Sequence, residues 1–311
     1  MSKINSIPLV LAFTPNYFIP AAVCLHSILK HSAEKDLFHV YVLLSEELPE
    51  DMKQELGKMD EKRMTFSFIN LEGQLNDIYI DPKYTIAASY RLLLPELLPQ
   101  CDKVIYIDCD VVVRNNLAEL YRSTDLGDNY LAAVFEATLD FQVEYLKKIG
   151  CEPGKYFNSG FLMMNLALLR SDKMSGKFIE AAKEEGLQFP DQDVLNKLCE
   201  NRVLGLPPYY NSIRTFYLPQ YKEAFLKYYT ESDWRAIQEH GTIHYTGTKP
   251  WNTFAVQFDV WWRYYKQLPA SLKAKDKLKF NSRLSSLVFK SSLLRQLVSR
   301  AIEVYRTVRY K

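Results

Sequence analysis

Apolar positions in the first third of the chain switch between two spacings. Residues 9–13, 38–44 and 64–69 are apolar runs of strand length, while residues 20–29 and 49–59 repeat apolar side chains three and four apart, as an amphipathic helix does. Pro20 falls near the start of the first such stretch, where a missing N–H is tolerated. Strands alternating with helices predict a parallel α/β sheet, with this part as a nucleotide-binding half.

The same pattern runs on. Residues 86–98 predict a helix, and 103–107, Lys-Val-Ile-Tyr-Ile, a buried strand that stops abruptly at Asp108-Cys109-Asp110. Further strands are expected at 130–135, 157–165 and 242–245, and helices at 141–149, 173–185 and 191–200. No internal repeat or Gly/Ser linker divides residues 1–265, and the composition changes only after Leu268-Pro269. One catalytic α/β domain over 1–265 and a basic, amphipathic helical tail over 266–311 are therefore expected.

Charge sets the tail apart. Net charge is +2, yet residues 271–311 hold eleven Lys or Arg against Asp276 and Glu303, a local +9 that leaves +2 − 9 = −7 for the rest. An acidic body argues against nucleic acid as a partner. The basic tail also carries Leu278, Phe280, Leu284, Leu287, Val288, Phe289, Leu293, Leu294, Leu297, Val298, Ile302 and Val304, which suit either an anionic membrane surface or packing on the domain. The five cysteines form no Cys-x-x-Cys pair, so they encode neither a zinc site nor a disulfide framework and fit a reducing compartment. Residues 1–8 lack a basic segment followed by a long apolar run, and nowhere do ~18 uncharged apolar residues follow one another. A cytoplasmic protein, peripheral to a membrane through its tail, is the expectation.

Four short segments carry candidate chemistry. Asp108 and Asp110 leave a strand end one residue apart, where two carboxylates can share a hard cation and ligands of open α/β sheets gather. By itself an Asp-x-Asp is as easily a solvated turn. His244 closes the run Gly241-Thr242-Ile243-His244-Tyr245 and is either a third ligand or a hydrogen-bonded core histidine. In the following Thr246-Gly247-Thr248-Lys249-Pro250-Trp251, Gly247 lets backbone amides approach an anion and Lys249 supplies a point charge. Phe157-Asn158-Ser159-Gly160 puts polar and small residues at a strand mouth, as a sugar site or a β-bulge would. Pro190-Asp191-Gln192-Asp193 opens a helix; capping would explain Asp191 but not Gln192.

In that order and spacing, these four segments resemble glycosyltransferase family 8, which includes bacterial lipopolysaccharide galactosyl- and glucosyltransferases and glycogenin. The likeness runs from about Val10 to Trp251. It implies a glycosyltransferase A (GT-A) fold, a single Rossmann-like nucleotide-binding domain with a mixed central sheet, and an enzyme that moves galactose or glucose from UDP-galactose or UDP-glucose to a glycan or glycolipid acceptor with retention. The implied cofactor is Mn2+ or another divalent cation such as Mg2+, on Asp108, Asp110 and His244. The donor site implied is Ala12, Asn16 and Tyr17 for the base and ribose; Arg91 close to the sugar and phosphate; Gly247 and Lys249 in the diphosphate loop; Asn158, Asp191 and Gln192 around the hexose, with Glu136 at a sugar-binding position; and Asp108, Cys109, Asp110 and Ser159 as further donor contacts. Thr14 stands where an acidic residue is common, and Glu136 where an Asp is. The loop between Gly247 and Lys249 is one residue short of the galactosyltransferase pattern.

The resemblance puts Gln192 on the open face of the sugar, where an amide is a feeble nucleophile, so acceptor attack on the face of departure is favoured, with Asp191 holding sugar hydroxyls. Three alternatives remain. A glycogenin-like protein would glucosylate itself or another protein, and a non-catalytic module would bind nucleotide sugar alone. A sugar nucleotidyltransferase would need a Gly-rich basic loop near Val10, which is absent.

Overall fold

The computed structural model describes residues 6–276 together with 284, 286–288, 290–294, 296–298, 300 and 301. Its strands, in chain order, are β1 (Ile7–Phe13), β2 (Phe38–Leu44), β3 (Met64–Asn70), β4 (Lys103–Ile107), β5 (Val111–Val112), β6 (Leu131–Phe135), β7 (Phe157–Asn165), β8 (Val203–Gly205) and β9 (Ile243–His244). Among the described residues seven of them form one sheet in the order β3-β2-β1-β4-β7-β6-β8, and β5 pairs with β9 apart from it. Strands β3, β2, β1 and β4 are mutually parallel, whereas β7 runs antiparallel to both β4 and β6. The sheet is mixed, as expected of a GT-A fold.

Period-two alternation sends each central strand into two cores. Leu9 and Leu11 of β1, with Ile105 and Ile107 of β4, join one apolar cluster; Val10, Val104 and Tyr106 join the cluster on the opposite face. Burial on both faces explains why β1 and β4 read as unbroken apolar runs. The helix Phe18–Lys30 covers the first face, and the helix Phe258–Gln267 packs against it with Trp261 and Trp262 fully buried. Leu268 and Leu272 join the same core, and Lys275 pairs with Asp51 at 2.5 Å, so packing continues past residue 265.

Residues 86–98 differ from the single helix expected. They form an α-turn Ile86–Ser89, a 3-10 turn Tyr90–Leu93 and a second α-turn Leu94–Leu97. Pro95 lacks the N–H that a continuous helix would use there but fits the first turn of a new one. The tighter middle turn carries Arg91 inward, where it is 2% exposed. Sequence spacing also passed over β5, β8 and the helices Leu117–Ser123, Glu231–His240 and Phe258–Gln267.

From residue 284 onward the described positions are helical apart from Ser291. Val288 is buried, whereas Leu284, Leu287, Leu293, Leu294 and Leu297 are exposed. Leu278, Phe280, Phe289, Ile302 and Val304 lie outside the described residues. No helix among the described residues is long and apolar enough to cross a membrane.

Candidate active site

Antiparallel pairing of β4 with β7 builds the site. It sets the start of β7 against the end of β4, with the Asp108 N–H donating to the Gly160 carbonyl at 2.8 Å. The chain then runs through Asp110 into β5, whose Val111 faces His244 of β9, and the Tyr245 N–H donates to the Asp110 carbonyl at 2.9 Å. Residues some 50 and 135 positions away in sequence thus close on one carboxylate pair. One ligand atom each of Asp108, Asp110 and His244 can be chosen so that all lie within 4.8 Å of one another.

His244 Nε2 lies 3.3 Å from Asp110 Oδ1 and 3.7 Å from Asp108 Oδ2. The Lys249 ammonium pairs with Asp110 Oδ2, so a cation already stands against the cluster. Burial alone would raise the Asp110 carboxyl, but Lys249 and His244 overcome it and hold the group well below the usual range. Cys109 points elsewhere: its thiol donates to the Ala12 carbonyl at 3.4 Å, and burial pushes it well up, away from thiolate. Two carboxylates and one imidazole, with no thiolate, fit a hard or borderline divalent ion such as Mn2+ or Mg2+.

Opposite this cluster Arg91 organises a second wall. Its Nη2 donates to Asp108 Oδ1 at 2.8 Å, its Nε is 3.2 Å from Asp191 Oδ2, and its guanidinium carbon lies 4.2 Å from the Tyr106 ring centroid. Burial opposes the guanidinium charge, and Asp108, Tyr106 and Asp191 more than restore it. Asp191 is not a helix cap: the cap position of Pro190–Leu198 is Phe189, and the Asp191 carboxylate turns instead to Arg91 and to Ser159 Oγ at 3.0 Å. Burial pushes this carboxyl up while Arg91 offsets part of the rise. Asp193 takes the local duty, accepting from the Phe189 N–H and from Tyr145 and Tyr156.

Both walls line one cleft of about 560 Å³. Ala12, Tyr17, Arg91, Asp108, Cys109, Asp110, Asn158, Ser159, Asp191, Gln192, His244, Gly247 and Lys249 all border it. Asn16 borders instead an adjoining cavity of about 710 Å³ that shares Tyr17 as a wall. Glu136 stands behind Gln192, whose Nε2 is 3.4 Å from its Oε1. Burial lifts the Glu136 carboxyl to about 7 against hydrogen bonds from Gln142 and Gln192. Lys83, Tyr84, Thr85 and Phe189 also border the cleft and went unnoticed in the sequence, as did the buried Asn211 beside His244.

The model of glycosyl transferase family 8 matches residues 8–255, most of the chain. The chain belongs to glycosyl transferase family 8. A lipopolysaccharide 1,2-glucosyltransferase of Escherichia coli strain K12 is 29% identical over 264 residues, covering 81% of this chain and 74% of the relative. The galactosyltransferase LgtC, solved with donor and acceptor sugar analogs, superposes with a TM-score of 0.69 at 28% identity over 87% of this chain and all of that one. The bifunctional glycosyltransferase WbbM shares the fold, with a TM-score of 0.71 at 23% identity; this chain spans 51% of it. This family 8 member is thus a glycosyltransferase of α/β, GT-A architecture.

Proposed function

We propose that this family 8 glycosyltransferase passes galactose or glucose from a UDP-sugar to a hydroxyl of a cell-surface glycan, lipopolysaccharide in the first instance, with retention of anomeric configuration. The observation that carries the reading is the pairing, across one cleft, of the Asp108–Asp110–His244 cluster and Lys249 with the Arg91–Asp191–Gln192 wall. The relatives' names supply the choice of hexose and glycan class.

Asp108, Asp110 and His244 would hold a divalent ion, Mn2+ before Mg2+, which when bound supplies charge neutralisation to a diphosphate. Lys249 adds a positive charge at the same place, and Gly247, at φ +77°, opens a backbone geometry that lets amides approach an anion. Arg91 pairs with both Asp108 and Asp191 and so fixes the two carboxylates at the cleft. Asp191, aligned by Arg91 and Ser159, accepts from hexose hydroxyls.

Gln192 is locked at both ends of its amide: Oε1 accepts from the Ser159 N–H and Asn158 Nδ2, each at 3.0 Å, and Nε2 donates to the Tyr156 hydroxyl at 3.0 Å. An oxygen already accepting twice is a poor nucleophile, which favours acceptor attack on the face that the phosphate leaves, through an oxocarbenium-like state. A covalent sugar on Asp191 in the intact mass would replace this route with a double displacement.

Residues 1–265 would be the catalytic domain and 266–311 a tail whose exposed leucines and basic residues meet an anionic membrane from the cytoplasmic side. The deciding experiment measures UDP release from UDP-galactose and UDP-glucose, with Mn2+ and then with a chelator. Chelator-sensitive release from one donor supports the reading and names the hexose; no release from either, with no donor-induced rise in Tm, rejects it.

A further inference from the structure

The polarity of a buried side-chain relay follows from two backbone amides, because a backbone N–H can only donate. The Ser159 N–H points at the Gln192 side chain at 3.0 Å, so the atom there is Oε1, and Asn158 Nδ2 donates to the same oxygen at 3.0 Å. The Gly160 N–H points at the Asn158 side chain at 3.1 Å, which independently makes that atom Oδ1. Asn158 Oδ1 accepts a second bond from Asn211 Nδ2 at 3.0 Å, leaving Asn211 Oδ1 to face His244 Nδ1, also at 3.0 Å. An oxygen there demands a hydrogen on Nδ1. In the neutral ring the Nε2 lone pair is then turned toward Asp108 and Asp110.

We infer that Asn211 is a positioning residue that fixes the Nδ1–H tautomer of His244 and ties the metal cluster to the hexose-side amides Asn158 and Gln192. Its own place is rigid. Asn211 is fully buried, and the next residue is pinned to the segment carrying His244: the Ser212 N–H donates to the Thr242 carbonyl at 2.8 Å and the His244 N–H to the Ser212 carbonyl at 3.0 Å. Partners that hold the far nitrogen of a ligating histidine change metal affinity by about 10–100-fold when removed. The relay gives a structural reason for Ser159 and Gly160 to follow Asn158 directly, since their two amides set the direction of every bond beyond them.

This rests on reading Asp108, Asp110 and His244 as ion ligands, and the tests separate the two. In metal-free wild-type protein at alkaline pH, nitrogen-15 spectra of the histidine rings should show His244 with hydrogen on Nδ1 and a bare Nε2; hydrogen on Nε2 instead overturns the relay whatever the ion does. Calorimetric Mn2+ titration without donor should show Asn211→Leu weakened by about 10–100-fold. Asn211→Asp keeps an acceptor toward His244 but loses the donor to Asn158 Oδ1, so its Mn2+ affinity should fall less than that of Asn211→Leu. Equal Mn2+ affinity in a folded Asn211→Leu overturns the proposal. If that variant does not fold, the wild-type spectrum and the Asp variant decide. Wild-type protein that takes up no Mn2+ removes the ligand reading and with it Asn211's role toward the ion, while the spectrum still decides the tautomer.

Discussion

Gly160 lies so close to His244 that no other residue fits. A Cβ built on it would stand 2.2 Å from His244 Cε1 and 2.6 Å from Asp108 Oδ2, well inside contact distance of two of the three cluster residues. The backbone of Gly160 is ordinary β-strand, so contact rather than conformation excludes a side chain. Gly160→Ala should therefore keep the secondary structure but displace the imidazole, at a stability cost of about 1–3 kcal/mol for overpacking a buried site. Mn2+ affinity should fall and turnover drop by about 100-fold or more, on the scale of a lost electrostatic group. Wild-type activity in this variant would mean that the cluster is not the working one.

Asp110 answers to His244 and Lys249 together. Asp110→Asn keeps its shape and removes the charge. Turnover should collapse, and added Mn2+ at high concentration should restore part of it if the defect is ion binding. Unchanged activity that still responds to a chelator would take Asp110 off the ligand set.

Arg91 is nearly fully buried between two carboxylates. Removing one partner of such a buried pair costs about 3–5 kcal/mol because the remaining charges stay desolvated and unpaired. Arg91→Met should lower Tm accordingly and abolish activity. Arg91→Lys should recover part of the stability but little activity, since an ammonium cannot bond Asp108 and the Ala88 and Ser159 carbonyls from one plane while also pairing with Asp191. Thermal unfolding and UDP release on the same samples separate the two effects.

Those residues differ in how visible they were in the sequence, for physical reasons. The apolar run 103–107 ending in Asp108-Cys109-Asp110 announces itself because a buried parallel strand must be apolar and its end must not be. Gln192 stood out because capping could not explain it. The need for Gly160 was hidden, since it comes from β7 lying antiparallel to β4, a long-range pairing that local spacing does not encode. Asn211 was hidden more deeply. It is a buried polar residue in an irregular segment, and only the partners brought by β7 and β9 give it a task. The two-residue strand β5 is too short for any periodicity, yet its pairing with β9, which falls in the strand expected at 242–245, brings His244 to the carboxylates.

Glu136, buried behind Gln192, gives stability a pH dependence of its own. Burial lifts its carboxyl to about 7, with Gln142 and Gln192 donating to it, His244 drawing it down and Asp193 pushing it up. Unfolded, the group returns to about 4.3. Between these values the native protein keeps a proton that the unfolded chain has released, so this group's contribution to stability is complete below about pH 4 and is lost as pH rises toward 7. Asp191 and Asp193 are raised as well and bend the wild-type curve in the same sense, so the informative quantity is a difference. Glu136→Gln keeps the size and the hydrogen-bonding reach while removing the titration. The Tm of Glu136→Gln minus that of wild type should therefore climb from about pH 4.5 to about pH 7 and then level off. A difference flat across that range would mean that Glu136 ionises like a solvent-facing glutamate and does not sit, proton-bearing, behind the amide of Gln192.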